Sequence, residues 1–309
     1  MANYEFDPLV GTIILKPDGE GPGYWIGGHS LFFDKELNKF FLYTRSRNPR
    51  PTEGRVKPND KHRGYRCQIH ESIDGEHFKP IWELRKHEID ARSIEQGAIT
   101  KINGKFLLFL SYETPGMLPR WKITQMCAEH PSQFNAAGMK PIQWDLNAIQ
   151  RFSVKDPVVY FENDIIYLYI DYFRLTKPHE STAVLISKNG KNFSWNGDIF
   201  ENRSDCKWAT HLIRLTSIIH DDKQYIAYFD GTNTLKDICD EKGGIAIGDN
   251  LLSFKIRNTD KPIFYNNYGK GSVRYLFALK HGNSIKVYYE HTEKKGEHAL
   301  RMVELKPLT

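Results

Sequence analysis

Short apolar-aromatic stretches recur along this chain at nearly constant spacing, and that repeat limits the fold more than any other feature. They are Phe40-Phe41-Leu42-Tyr43, Phe106-Leu107-Leu108-Phe109, Tyr167-Leu168-Tyr169, Tyr225-Ile226-Ala227-Tyr228 and Val287-Tyr288-Tyr289. The anchor aromatics Tyr43, Phe109, Tyr169, Tyr228 and Tyr288 are 66, 60, 59 and 60 residues apart, which nearly consumes the 309-residue chain. A fixed period of strand-rich units points to radial repetition of a small antiparallel sheet. The expectation is an all-β, five-bladed β-propeller with four-stranded antiparallel blades.

The turns support that reading. Asn103-Gly104 lies between Ala98-Ile99-Thr100 and Phe106-Leu107-Leu108, a strong hairpin signal. Asn163-Asp164, Asp221-Asp222 and Gly282-Asn283 take the same place in later units, and Asp34 to Asn38 forms a longer turn in the first. Ser72-Ile73-Asp74-Gly75 and Ser187-Lys188-Asn189-Gly190 each precede an outer strand that begins with an aromatic, and Gly248 to Phe254 is a weaker copy. The blades are expected over roughly 23–85, 92–146, 152–200, 208–258 and 270–305, all in one domain over 1–309. The last unit lacks a fourth strand, and the spare N-terminal segment 10–16 is expected to supply it and close the ring.

Composition narrows the function classes. A 40% apolar fraction with 16 Tyr, 18 Phe and 6 Trp suits a packed, strand-built core. A net charge of +5 comes without a dense basic stripe or a nucleic-acid motif, so no nucleic-acid partner is expected. No run approaches the length of a membrane span, and residues 1–7 lack the basic and apolar regions of a signal peptide. A cytoplasmic setting, free buried or half-buried thiols at Cys67, Cys127, Cys206 and Cys239, and no cofactor or metal are the expectations. His281, His291 and His298 lack tight ligand spacing and read as surface histidines.

In a propeller the beginnings of first strands, the ends of second strands and the loops after them share one face. Counting back about 14 residues from each anchor gives the axial positions His29, Glu95, Asp156 (beside Lys155), Arg214 and Arg274. Two residues past each anchor come Arg45, Ser111, Asp171, Asp230 and Glu290. An apolar core has no use for this set, which needs either mutual pairing or a ligand. The pairing alternative is an ion-pair ring that plugs the axis. Two axial arginines argue against a calcium ion held by Asp156 and Glu95. Arg47, Arg50, Arg55, Lys57, Lys61, His62 and Arg63 crowd residues 46–64, either as a solvated loop or as a rim attracting an anionic or polysaccharide ligand. Trp25, Trp121 and Trp208 offer faces for stacking on sugar rings or for core packing.

Lys155-Asp156-Pro157-Val158-Val159-Tyr160, followed by Ile165-Ile166-Tyr167-Leu168-Tyr169, resembles the five-bladed propeller glycosidases of glycoside hydrolase families 32, 43, 68 and 130. There an Asp-Pro pair opens the inner strand of the third blade. Ser93-Ile94-Glu95 with Gly97-Ala98 is similar to the start of the second blade in parts of that superfamily. The resemblance implies that Asp156 orients partners and tunes their pKa values. Two positions depart from the pattern: Gly27-Gly28-His29-Ser30 stands where those families place a first-blade aspartate, and His211 and Arg214 stand near the fourth-blade glutamate.

Glycoside cleavage needs a carboxylic acid to protonate the leaving oxygen and a carboxylate to activate water or to attack. Glu95, Asp171, Asp230, Glu241 and Glu290 are available, and Glu95 with Glu241 is the expected pair, supported by Asp156. Trp25, His29, Arg45, Asp171, Trp208, His211, Arg214, Asp230, Arg274 and Glu290 are the expected ligand-binding set, with His29 or His211 as alternative proton donors. The expected function is a glycoside hydrolase acting on a small or imported oligosaccharide, including one with an anionic group. A sugar-binding propeller without catalysis, or a glycoside phosphorylase, is the alternative. Oligomeric state stays open.

Overall fold

The computed structural model describes residues 4–49, 62–116, 120–144, 151–174 and 177–306. Arg50, Arg55, Lys57 and Lys61 of the basic segment lie outside the described residues. Every long element is a strand, and the helical elements among the described residues are short 3-10 turns.

The strands fall into successive antiparallel runs that follow the sequence repeat. After β1 (Thr12–Leu15), the first run comprises β2 (Trp25–Asp34), β3 (Lys39–Arg47), β4 (Arg66–Ser72) and β5 (Lys79–Arg85). The second holds β6 (Ser93–Ile102), β7 (Lys105–Thr114), β8 (Arg120–Ala128) and the two-residue β9 (Lys140–Pro141). Two 3-10 turns, Pro131–Gln133 and Ala136–Gly138, occupy most of its outer edge. β10 (Gln143–Trp144) crosses over to pair in parallel with the third run. That run is β11 (Arg151–Glu162), β12 (Ile165–Arg174), β13 (Lys177–Ser187) and β14 (Asn192–Asp198). The fourth is β15 (Leu212–His220), β16 (Tyr225–Thr232), β17 (Lys242–Asn250) and β18 (Ser253–Ile256). In the last, β19 (Val273–His281), β20 (Ser284–Thr292) and β21 (His298–Leu305) are joined by β1, which pairs antiparallel with β21.

The turns adopt the conformations their residues favour. Asn103 and Gly104 take φ of +50° and +77°, the left-handed pair of a tight hairpin turn. The Ser-x-Asp/Asn-Gly turns of the first and third runs are built alike: Ser72 Oγ and Ser187 Oγ each accept the N–H of the following glycine at 3.0 Å. Gly75 and Gly190 sit at φ of +76° and +70°, where a side chain would be strained.

Anchor tyrosines tie one run to another. Tyr43 donates its hydroxyl to the Glu95 carbonyl at 2.8 Å, Tyr169 to Leu251 at 2.7 Å, Tyr228 to Tyr4 at 2.9 Å and Tyr288 to Gly75 at 2.6 Å. Each ring lies in apolar packing while its hydroxyl satisfies a buried carbonyl on a neighbouring run or, for Tyr228, on the N-terminal segment. Phe109 fills the equivalent place without a hydroxyl, packed edge-on against Phe193. The apolar clusters lie between runs: Phe109 packs with Ile166 and Leu168, and Tyr4 with Tyr228, Val273 and Leu276. The free cysteines divide differently from expectation, since Cys127 is exposed while Cys67 and Cys206 are buried.

Replacing Tyr288 by Phe should cost about 1 kcal/mol, because one buried carbonyl loses its donor. Removing residues 4–16 strips Tyr4 from its cluster and β1 from β21, and should cost at least about 3 kcal/mol. Urea unfolding of the two variants against the parent measures both, and a deletion that unfolds at the parent midpoint would show that β1 is dispensable.

Candidate active site

Each first strand carries a register shift at the same point. The shifts fall between Gly27 and Ser30, Ile94 and Gly97, Lys155 and Val158, Leu215 and Ser217, and Arg274 and Phe277. Such bulges re-aim side chains and bend the strand. Three of them place a left-handed residue at one equivalent position: Gly28 at φ +53°, Asp156 at +52° and Tyr275 at +52°. For a tyrosine that conformation is costly, on the order of 1–3 kcal/mol. A Cβ on Gly28 would come within 2.5 Å of Arg45 Nε, and one on Gly27 within 2.2 Å of Glu290 Oε1. The first-run glycines therefore leave room for groups that arrive from β3 and β20.

The result is a buried network of arginines and carboxylates. Arg214 donates from Nη1 to Asp156 Oδ2 and from Nη2 to Asp230 Oδ2, both at 2.7 Å, with Glu241 Oε1 at 3.6 Å. Arg274 donates from Nη1 to Glu241 Oε2 at 2.7 Å and from Nε to Glu290. In a second half of the network, Arg45 donates to Glu95 Oε2 at 2.7 Å, while Arg63 and the Ser93 hydroxyl reach Glu95 Oε1 at 3.3 and 2.7 Å. Tyr275 joins the two halves. Arg214 and Arg274 lie 4.1 and 5.2 Å from its ring centre, and its hydroxyl meets Arg45 Nη2 at 3.4 Å. Its N–H caps Asp230 at 3.0 Å.

The carboxyls divide by environment. Glu95 resists the upward push of burial because Arg45, Arg63 and Arg47 hold it well below the ordinary carboxylate range. Glu241 behaves alike, held down by Arg274 and Arg214 against the same desolvation. Asp171 goes the other way. Burial, then the neighbouring Glu180 carboxylate, raise it well above the usual aspartate value, with Lys155 opposing at 3.6 Å. Lys155 lies closer to Glu180, at 2.9 Å. Asp230 is also raised, chiefly by burial.

Most of the anticipated residues converge here: Trp25, Glu95, Arg45, Asp156, Asp171, Arg214, Asp230, Glu241, Arg274 and Glu290 all join or border the network. Trp121 borders it too, between Arg63 and Lys155 at 5.8 and 5.7 Å. Trp208 does not. Its ring stacks on Phe229 in the core, and its indole N–H is bonded to the Asn258 carbonyl at 2.8 Å. His29 lies one residue past the left-handed bulge position, against the Tyr288 backbone, where burial lowers its pKa to about 4. It is a neutral imidazole near pH 7. His211 is half-buried, with its carbonyl accepting Glu180 N–H and its Nε2 lacking a partner among the described residues. The histidines expected at the surface are not there: His291 and His298 are buried, and His281 packs edge-on against Phe33 and Phe40. No cluster of metal-ligating side chains occurs among the described residues.

Sequence reasoning missed Tyr275, Glu180 and Glu113. Tyr275 is detectable in principle, since it stands 13 residues before its anchor, as Asp156 does. Glu180 leaves no such signal, because only the pairing of β13 with β12 sets it beside Asp171. Glu113 is buried at the end of β7, where Arg63 and Arg92 pair with it.

Several buried polar atoms of this face have no protein partner among the described residues. They include donors, Arg45 Nε, Arg214 Nε and Trp121 Nε1, and acceptors, Asp156 Oδ1, Asp230 Oδ1 and the Ser111 hydroxyl. Buried polar atoms are ordinarily satisfied, so these are the hydrogen-bonding positions that the network leaves open.

The arrangement matches known enzymes in fold. A GH43_1 enzyme from Xanthomonas citri complexed with xylotriose superposes with a TM-score of 0.64 at 11% identity, covering 97% of this chain and 90% of that one. An endo-arabinase from Bacteroides thetaiotaomicron gives 0.61 at 10% identity over 96% and 98% of the two chains. A thermostable family-43 glycoside hydrolase gives 0.62 at 11% identity over 93% and 92%. No protein-family model matches the sequence, and no curated protein does. The chain has the propeller-type fold of these hydrolases.

Removing a buried guanidinium strands its carboxylates, so Arg214→Met should destabilise by about 3–5 kcal/mol in denaturant melts. The acid limb is also specified. Glu95 and Glu241 have folded pKa values below the ordinary 4.5, so their contribution is full above that value. It is lost as the pH falls toward the folded values. A Glu95→Gln, Glu241→Gln double variant should lose stability at pH 7 and show a flatter decline below pH ~4.5. An unchanged acid limb would contradict the pairing.

Proposed function

We propose that this chain is a carbohydrate-active propeller, a glycoside hydrolase whose proton donor is Asp171. The finer architecture is part of the proposal. Residues 1–309 form one domain of five blades, at roughly 23–85, 92–146, 152–200, 208–258 and 270–305, with segment 10–16 closing the ring. The pairing of β1 with β21 and the Tyr288–Gly75 bond between the last and first runs support closure.

The chemistry rests on one observation. Asp171 is a buried carboxyl whose pKa is raised by desolvation and by Glu180, on the face where partnerless donors and acceptors collect. A carboxyl that keeps its proton to higher pH than an ordinary aspartate is what a leaving glycosidic oxygen needs. The Glu180 carboxylate that raises it is itself held by Lys155 at 2.9 Å. Asp156 complements it as the carboxylate. Arg214 fixes its Oδ2 at 2.7 Å, and its Oδ1 has no protein partner among the described residues. Glu95 and Glu241 then act as fixed anions that position Arg45 and Arg274, since carboxylates pulled below their usual range are poor proton donors. Arg214 stands near the fourth-blade position and Gly28 at the first, so proton transfer moves to the carboxyls of the third run.

Sugar hydroxyls both donate and accept, which suits the mixed atoms of this face. The ligand we infer is a small oligosaccharide or glycoside, with a cytoplasmic site of action. The same self-pairing of Glu95 and Glu241 favours a second reading, a sugar-binding propeller without turnover.

Asp171→Asn separates the two. For a hydrolase, turnover of chromogenic glycosides should fall by about 10²–10⁴ while sugar binding persists. The variant should also become more stable at neutral pH. A raised folded pKa binds the proton more tightly than the unfolded chain does, so stability declines as pH rises above the ordinary 3.8 toward the folded value. Asparagine removes that decline. Full activity in Asp171→Asn would eliminate the assigned donor, and binding without turnover in the parent protein would favour the second reading.

A further inference from the structure

Where β2 meets β21, nitrogen-rich side chains cover the Trp25 indole at one edge of the axial network. The Arg47 guanidinium lies 4.2 Å from the ring centre and that of Arg274 lies 4.6 Å away. His298 stacks on the indole at 4.6 Å with 20° between planes. This edge differs from the rest of the network in its charge balance. Arg45, Arg63, Arg214 and Arg274 each face at least one carboxylate. Arg47 has no carboxylate within ion-pair distance among the described residues, and its polar neighbour is the Cys239 thiol at 3.9 Å.

The other two groups keep donors in reserve. Arg274 spends Nε on Glu290 and Nη1 on Glu241, and its buried Nη2 has no partner among the described residues. His298 meets the Thr292 hydroxyl through Nε2 at 3.1 Å, and its buried Nδ1 is likewise without a partner. Burial first, then Arg274 and Arg47, hold this imidazole well below its usual pKa. Burial and the adjacent Arg45 lower Arg47 to about 10. In each case burial and a neighbouring arginine outweigh the nearest carboxylate, Glu241 at His298 and Glu95 at Arg47.

We propose that Arg47, Arg274 and His298, gathered on Trp25, form a subsite for an anionic substituent, a carboxylate or a phosphate, carried by the bound sugar. The inference rests on reading the axial face as a sugar site. A guanidinium fork matches either oxyanion, and Trp25 holds Arg47 in place through its π face. An anion here supplies the counter-charge that Arg47 lacks and accepts from Arg274 Nη2. It also favours protonation of His298, which then adds a further donor.

The test is calorimetry on the full chain with matched ligands: glucuronate against glucose, galacturonate against galactose, glucose 6-phosphate, and inorganic phosphate alone. The acidic sugar should bind at least about tenfold tighter than its neutral parent, a difference of about 1.4 kcal/mol. Higher salt should shrink that ratio. Whether uronates or the sugar phosphate bind better identifies the oxyanion. Arg47→Gln should reduce the ratio below about threefold, and Arg47→Lys, which keeps a point charge and guards against a folding artefact, should retain part of it. Equal binding of acidic and neutral sugars, or a ratio unchanged in Arg47→Gln, overturns the subsite and leaves the sugar reading standing. Arg47-dependent binding of inorganic phosphate, with no sugar binding more tightly, keeps the subsite and overturns the sugar reading. If no probe binds, both fall.

Discussion

A guanidinium taken out of water needs carboxylates around it, and Arg214 shows how far this protein goes to provide them. Its partners come from β11, β16 and the segment before β17, and it lies against a tyrosine from β19. None of these groups is near another in sequence except Asp230 and Glu241. Desolvation of that one side chain is tolerable only if three runs stand in a fixed relation. The bulges, the glycines that make room for Arg45 and Glu290, and the left-handed Tyr275 all serve the same requirement.

Not every group in the network is at rest. Glu95 and Glu241 are ionised and bonded, and they hold arginines still. Asp171 is raised well above the usual aspartate range, and Arg47 has no carboxylate within ion-pair distance among the described residues. Departures of this kind cluster where a ligand is to be handled, because a fully satisfied network leaves nothing for a ligand to complete. The partnerless donors and acceptors nearby point to the same face.

Much of the fold was legible in the sequence. The sixty-residue period, the Asn-Gly and Ser-x-Asp-Gly turns and the anchor tyrosines each reflect local chemistry, so they could be read without the tertiary structure. The count from each anchor also brought Glu95, Asp156, Arg214 and Arg274 to one place. It lost accuracy at the bulges, which insert residues that a simple count cannot register. The count therefore lands on His29, one residue past the bulge position, and misses Tyr275, which stands level with Asp156. Trp208 cannot be told from Trp25 by sequence, because a tryptophan in the core and one beside the charged network have the same immediate sequence setting.

Local preference is written residue by residue: strand period, turn conformation and the identity of the charged groups are properties of the chain alone. The protonation state of each carboxyl is not. Asp171 and Glu95 are both acidic residues on predicted strands, yet one is raised and the other lowered. The difference lies in whether an arginine from another run, or a carboxylate from the adjacent strand, stands beside it once water is gone. That choice depends on distances across the packed structure, so only the tertiary fold decides it.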